Sequence, residues 1–222
     1  MKTFLGLNVR TTLSEVCSGQ QLALLVYDMQ MGIVGQIKGS EPVVANVRRV
    51  LKAARDAGMR VFFTRHMSLP RELMGAFQLR MAMAWQRVEE PERVKPWFLR
   101  DSTSFQIVPE LTPLPSEAIF DKITMSAFEG TPLNIALRDC GVTAVAITGI
   151  ALEVGIEPTV RHAMDLGLIP LIISDACGSG NADAARRSLE SLAFEGNTLL
   201  TDVATFTDLI ARPRDDATSV PT

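Results

Sequence analysis

Short apolar runs recur along this chain, and stretches with helical periodicity separate them. That alternation restricts the possible folds more than any other feature. Gln21-Leu-Ala-Leu-Leu-Val-Tyr-Asp28 is almost continuously apolar until its final acid. Such a run suits a strand buried on both faces of a parallel sheet. From Pro42 to Gly58 the apolar positions Val43, Val44, Val47, Val50, Leu51 and Ala54 form one helical stripe. Met59–Thr64 then reads as a second strand and Ala118–Phe120 as a third. Pro132–Cys140 reads as a helix, Ala144–Thr148 as a fourth strand, and residues 153–166 as a helix. Ile169–Ser174, Ala182–Phe194, Asn197–Thr201 and Phe206–Ala211 continue the pattern as strand, helix, strand and helix. This order predicts an α/β fold: a Rossmann-like, three-layer α/β/α arrangement around a mostly parallel six-stranded sheet.

The chain has 222 residues, enough for one core and a lid. Apolar residues make up 47% and charged residues 21%, which excludes a disordered or fibrous chain. The formal net charge of −3 gives no basic excess for a polyanion, so no nucleic-acid partner is expected. No apolar run approaches the ~18 residues of a membrane span. The first twenty residues lack the pattern of a secretory signal. Cys17, Cys140 and Cys177 show no metal spacing and read as free thiols, so a cytoplasmic protein is expected.

Residues 1–20 read as an N-terminal extension, 21–211 as the domain, and 212–222 as a flexible tail. The stretch 67–116 breaks the alternation and reads as a lid or interface insert. Within it, Leu73, Met74, Phe77, Met81 and Trp85 lie three, four or seven apart, which predicts an amphipathic helix over 71–87. Such a helix packs on the core or serves as a lid or subunit contact. Its apolar surface leads us to expect a homodimer or homotetramer.

In open parallel sheets ligands bind at the carboxyl ends of the strands. Asp28 follows the first apolar run and Lys122 the third. An unpaired carboxylate is costly to bury, so Asp28 either caps a turn or belongs to a site. Lys122 reads equally as a surface residue beside Asp121 or as a site residue. His66 follows the second strand, and Cys177 follows the fifth in Asp-Ala-Cys-Gly-Ser-Gly180.

Three segments taken in order say more. They are Leu-Leu-Val-Tyr-Asp28-Met-Gln30, Asp121-Lys122-Ile-Thr-Met-Ser126-Ala-Phe128, and Ile147-Thr-Gly149-Ile-Ala151-Leu-Glu-Val-Gly155. Together the chain resembles the isochorismatase-like hydrolase superfamily over residues 21–211. The resemblance implies a site at Asp28, Lys122 and position 155, where amidase members carry a nucleophilic cysteine. This chain has Gly155 there, as does the branch that hydrolyses vinyl ethers. That chemistry needs an acid to protonate the enol-ether carbon and no nucleophile. The resemblance therefore implies an enzyme acting on a small, carboxylated metabolite, with Asp28 as general acid or base and Lys122 tuning it or holding substrate. An acid in that role works near neutrality only where burial keeps its proton in place. The resemblance also implies a cis bond before Ala151, whose amide would bind substrate together with that of residue 155. His66 is a further substrate-binding candidate. Metal-binding members carry Asp-x-His where this chain has Thr64 and His66, so no metal and no cofactor are expected. Two alternatives stay open: an amidase-like C–N hydrolase using water or Cys177, and a non-catalytic member that binds a ligand or partner.

Overall fold

The computed structural model describes residues 1–212. The chain opens with β1 (Lys2–Phe4) and β2 (Leu7–Val9), an antiparallel hairpin, and α1 (Leu13–Cys17). The sheet begins with β3 (Leu22–Tyr27), followed by the single turn α2 (Met31–Val34), α3 (Glu41–Asp56) and β4 (Arg60–His66). In the insert, α4 runs Ala76–Gln86. After it come β5 (Ala118–Lys122), α5 (Leu133–Asp139) and β6 (Ala144–Ile150). A wide helical turn, Leu152–Ile156, leads into α6 (Glu157–Asp165). The chain continues through β7 (Ile169–Gly178), α7 (Ala182–Glu195), β8 (Leu199–Thr201) and α8 (Val203–Ile210).

The six strands β3 to β8 pair in the order β5-β4-β3-β6-β7-β8, and every pair is parallel. The α/β sheet expected from the sequence is the sheet observed. All six residues of β3 are buried, because a central parallel strand has a helical layer on each face. Leu22, Leu24 and Val26 point into the core shared with Val47, Leu51, Phe206 and Ile210 of α3 and α8. Ala23, Leu25 and Tyr27 point into the opposite core, with Leu137, Val160 and Leu192 of α5, α6 and α7. Truncating a fully buried residue such as Leu25 to alanine costs about 2–5 kcal/mol.

Several boundaries differ from the expectation. The helix of the insert starts at Ala76, because Gly75 takes an extended conformation and separates it from a short turn at Arg71–Leu73. The last helix starts three residues early, at Val203, where the Asp202 side chain accepts from the Thr205 amide and caps it. The tail expected over 212–222 lies, from Pro213 on, outside the described residues. Among the described residues no helix is long and apolar enough to cross a membrane.

The chain winds from β3 outward through β4 to β5, then returns to the centre at β6 and winds the other way. β3 and β6 are thus neighbours at a topological switch point, where a crevice opens at their carboxyl ends. Asp28 follows β3 directly, and Ala151 follows β6. The end of β5 lies two strands away, so Lys122 reaches back toward Asp28 past the end of β4.

Candidate active site

Asp28 sits at φ 47, in the left-handed region that non-glycine residues seldom adopt. Its amide donates to Thr64 O at 3.2 Å, and its carbonyl accepts from the Gln30 amide at 2.8 Å. Gln30 is fully buried and ties neighbouring segments to this turn. Its Nε2 donates to His66 O at 3.0 Å and to Phe105 O at 3.1 Å, while its Oε1 accepts from the His66 amide at 2.6 Å.

The Asp28 side chain is buried, and both of its oxygens are engaged. Thr64 Oγ1 donates to Oδ1 at 2.7 Å, and Lys122 Nζ donates to Oδ2 at 2.6 Å. Lys122 also donates to Tyr27 Oη at 2.8 Å and to Thr124 O at 3.1 Å, so its three protons have three acceptors. Its ammonium stands 4.3 Å from the centre of the Tyr27 ring. Burial lowers the proton affinity of Lys122, and the Asp28 charge and hydrogen bond oppose that only in part. The structure thus joins the two site residues expected from the sequence into one dry ion pair.

Gly155 lies across the crevice, and the space above it is filled. A Cβ there would overlap the Tyr27 hydroxyl and come within 2.7 Å of Cε1 of the same ring. The Tyr27 hydroxyl donates to Met125 O. Burial, and then the charge of Asp28, hold this phenol well above its ordinary pKa, so it is neutral. The same residue also requires Gly149, at φ 127, whose Cβ would overlap the Tyr27 carbonyl oxygen. Gly155 is thus dictated by the side chain of Tyr27, and Gly149 by the backbone of the same residue.

The bond between Ile150 and Ala151 is cis, as the resemblance implied. The shared anion cradle is not formed. The Gly155 amide donates to Ala151 O at 3.0 Å instead of pointing into the crevice.

The pocket over the pair encloses about 400 Å³. Asp28, Tyr27, His66, Ala151 and Gly155 line its floor, and Trp85, Trp97 and Phe98 of the insert form a wall. His66 packs edge-on against Trp85 and Phe98. Burial, and then the Lys122 charge, push its pKa down to about 4, so it is a neutral wall residue at physiological pH. Among the described residues no arginine or lysine lines the pocket.

The other candidates lie elsewhere. Cys177 does not line the pocket. Its Sγ is directed at Ile147 O, 3.8 Å away, and burial pushes the thiol up to about 12. It is therefore in the wrong place and the wrong ionisation state for a nucleophile. His162 is paired with Ser126 Oγ at 2.9 Å and packs on Phe128, outside the pocket. Thr64, buried on β4, gives its hydroxyl to Asp28. Among the described residues no three His, Cys, Asp or Glu side chains are grouped to hold a metal.

A buried acid–ammonium pair lies at the switch point of a parallel sheet, beneath a half-open pocket, the place where open α/β sheets of the Rossmann-like class receive their ligands. The family model described as "Isochorismatase domain" matches residues 22–204, and the chain belongs to that family of hydrolases. Solved structures agree in fold. A cysteine hydrolase from Pseudomonas syringae pv. phaseolicola is 25% identical with a TM-score of 0.73, over 86% of this chain and 93% of that one. An isochorismatase family protein from Desulfovibrio vulgaris is 20% identical with a TM-score of 0.74, over 87% and 100%. A pyrazinamidase from Pyrococcus horikoshii, solved with zinc, is 20% identical with a TM-score of 0.68, over 82% and 99%.

Proposed function

We propose that this enzyme hydrolyses a small metabolite by proton transfer from the Asp28–Lys122 pair to the substrate, with water as the nucleophile and an enol ether as the favoured bond. The observation that carries the reading is the 2.6 Å contact between Lys122 Nζ and Asp28 Oδ2, beside a Gly155 that Tyr27 leaves no room to replace. Two full charges are costly in a dry site. Burial has already loosened the proton on Lys122, so it can pass along the short hydrogen bond to Asp28. Asp28 then delivers it to the enol-ether carbon. The double bond becomes an oxocarbenium ion, and water adds to that cation and loses a proton to the pair. The resulting hemiketal breaks its C–O bond to give a carbonyl product and an alcohol. One water is consumed and the pair is restored.

The reaction needs the pair to hold one proton. Activity should therefore fall on the alkaline side below the usual lysine range, because the Lys122 pKa is lowered. The test is a screen of purified protein against vinyl ethers and amides with Asp28→Asn as control. Vinyl-ether turnover lost in Asp28→Asn supports the reading. Activity on amides alone, or none on either class, overturns it. In the second case the ligand-binding alternative becomes the better account.

A further inference from the structure

The pocket's polarity restricts the charge of what can enter. Several groups that could receive an anion are already used within the chain. Lys122 has a fully buried side chain behind Asp28, and its three protons are taken. The Gly155 amide is spent on Ala151 O. At the start of α7 the amides of Gly180 and Asn181 donate to Glu153 Oε1, at 2.7 and 2.8 Å. Glu153 thus takes up the amides that this helix start would otherwise turn toward the pocket at Gly180. An incoming carboxylate would shed its water and meet Asp28 with no lysine or arginine among the described lining residues, a costly exchange. A cation would have to lie beside the Lys122 ammonium. What the walls do offer is flat apolar surface from Trp85, Trp97 and Phe98.

We propose that the substrate is uncharged and carries a planar apolar ring that packs against Trp85, Trp97 and Phe98. Binding of such a ring stands on the pocket walls alone. Placement of the scissile bond over Asp28 rests on the hydrolase reading above.

The molecule contains its own reporter. Its two tryptophans, Trp85 and Trp97, both line the pocket, so intrinsic fluorescence senses occupancy. Three probes share one ring: phenyl vinyl ether, para-vinyloxybenzoate, and the para-trimethylammonium derivative. Titrated into the wild type as their saturated ethyl ethers, which offer no double bond to protonate, the neutral probe should bind at least about tenfold more tightly than either charged one, the scale of an uncompensated desolvation. Equal or tighter binding of the carboxylate or the ammonium overturns the proposal, and so does no response to any of the three. Preference for the neutral ring with no vinyl-ether turnover by the wild type would overturn the hydrolase reading and leave this one standing.

Discussion

The two sides of the crevice are built on opposite plans. On the β3–β5 side, polar groups face one another at hydrogen-bonding distance: Thr64 on Asp28, Asp28 on Lys122, Lys122 on Tyr27. On the β6 side, Gly149 and Gly155 have no side chains, because Tyr27 occupies the space they would need. The first side stores a proton beside the pocket. The second excludes any side-chain nucleophile from position 155. The difference teaches that the glycine is not an empty place in a cysteine site. It is the counterpart of a tyrosine, and the two residues form one unit with Lys122 as the link.

The largest effect should come from breaking the polar side. Lys122→Met leaves Asp28 buried without its cation, and loss of one partner of a buried pair costs about 3–5 kcal/mol. Urea unfolding near neutral pH measures this, and wild-type stability would show that the pair contributes little. The next largest effect tests the neutral wall beside the pair. His66 has a folded pKa of about 4 against 6.5 for the free side chain, so the unfolded state binds more protons between those values. Its contribution is complete above about pH 6.5 and is lost as pH falls toward 4, on the order of 3 kcal/mol. His66→Phe should flatten that part of the stability–pH curve. An unchanged slope would assign acid sensitivity to other groups.

The glycine side is broken by Gly155→Cys. The new Cβ overlaps the Tyr27 ring, and overpacking of this kind costs about 1–3 kcal/mol. Pairing it with Tyr27→Val should restore stability and expose an alkylatable thiol. A single variant as stable as the wild type would break the comparison. A smaller effect sharpens the link between the two sides. Tyr27→Phe keeps the ring and removes one acceptor from Lys122, so the ammonium is held less firmly. The alkaline limb of activity should move to lower pH and turnover should fall about tenfold, the scale of one hydrogen bond to a charged group. A profile that only scales down, without moving, would give Tyr27 a packing role alone.

Most of this framework could be read before the structure. Strands buried on both faces have to be apolar runs, and so β3, β4, β6 and β7 stood out. Asp28 and Lys122 stood out less by position, which fits a cap and a surface residue as well, than by the resemblance that the three motifs carry together. Tyr27 did not stand out, since within β3 it looks like one more core residue. Its hydroxyl matters only through Gly155, Met125 and Lys122, which are far away in sequence. Trp97 and Phe98 lie in a proline-bounded loop with no periodicity, so nothing local marks them as pocket walls. Thr64 and Gln30 act through buried hydrogen bonds that no pattern announces. The short α1 did have a signal: Thr12 and Glu15 form a capping box at the expected spacing. The β1–β2 hairpin had none, since every residue of its two strands is exposed.

The central claim is that the Asp28–Lys122 pair acts without a protein nucleophile. It is tested most directly by steady-state vinyl-ether turnover of the wild type, Cys177→Ala and Asp28→Asn measured side by side. The account predicts that Cys177→Ala matches the wild type. It predicts that Asp28→Asn loses about a hundredfold or more in turnover, the scale of a missing acid–base group, with ring binding by tryptophan fluorescence preserved. An inactive Cys177→Ala that still folds, or an Asp28→Asn that turns over like the wild type, would contradict it.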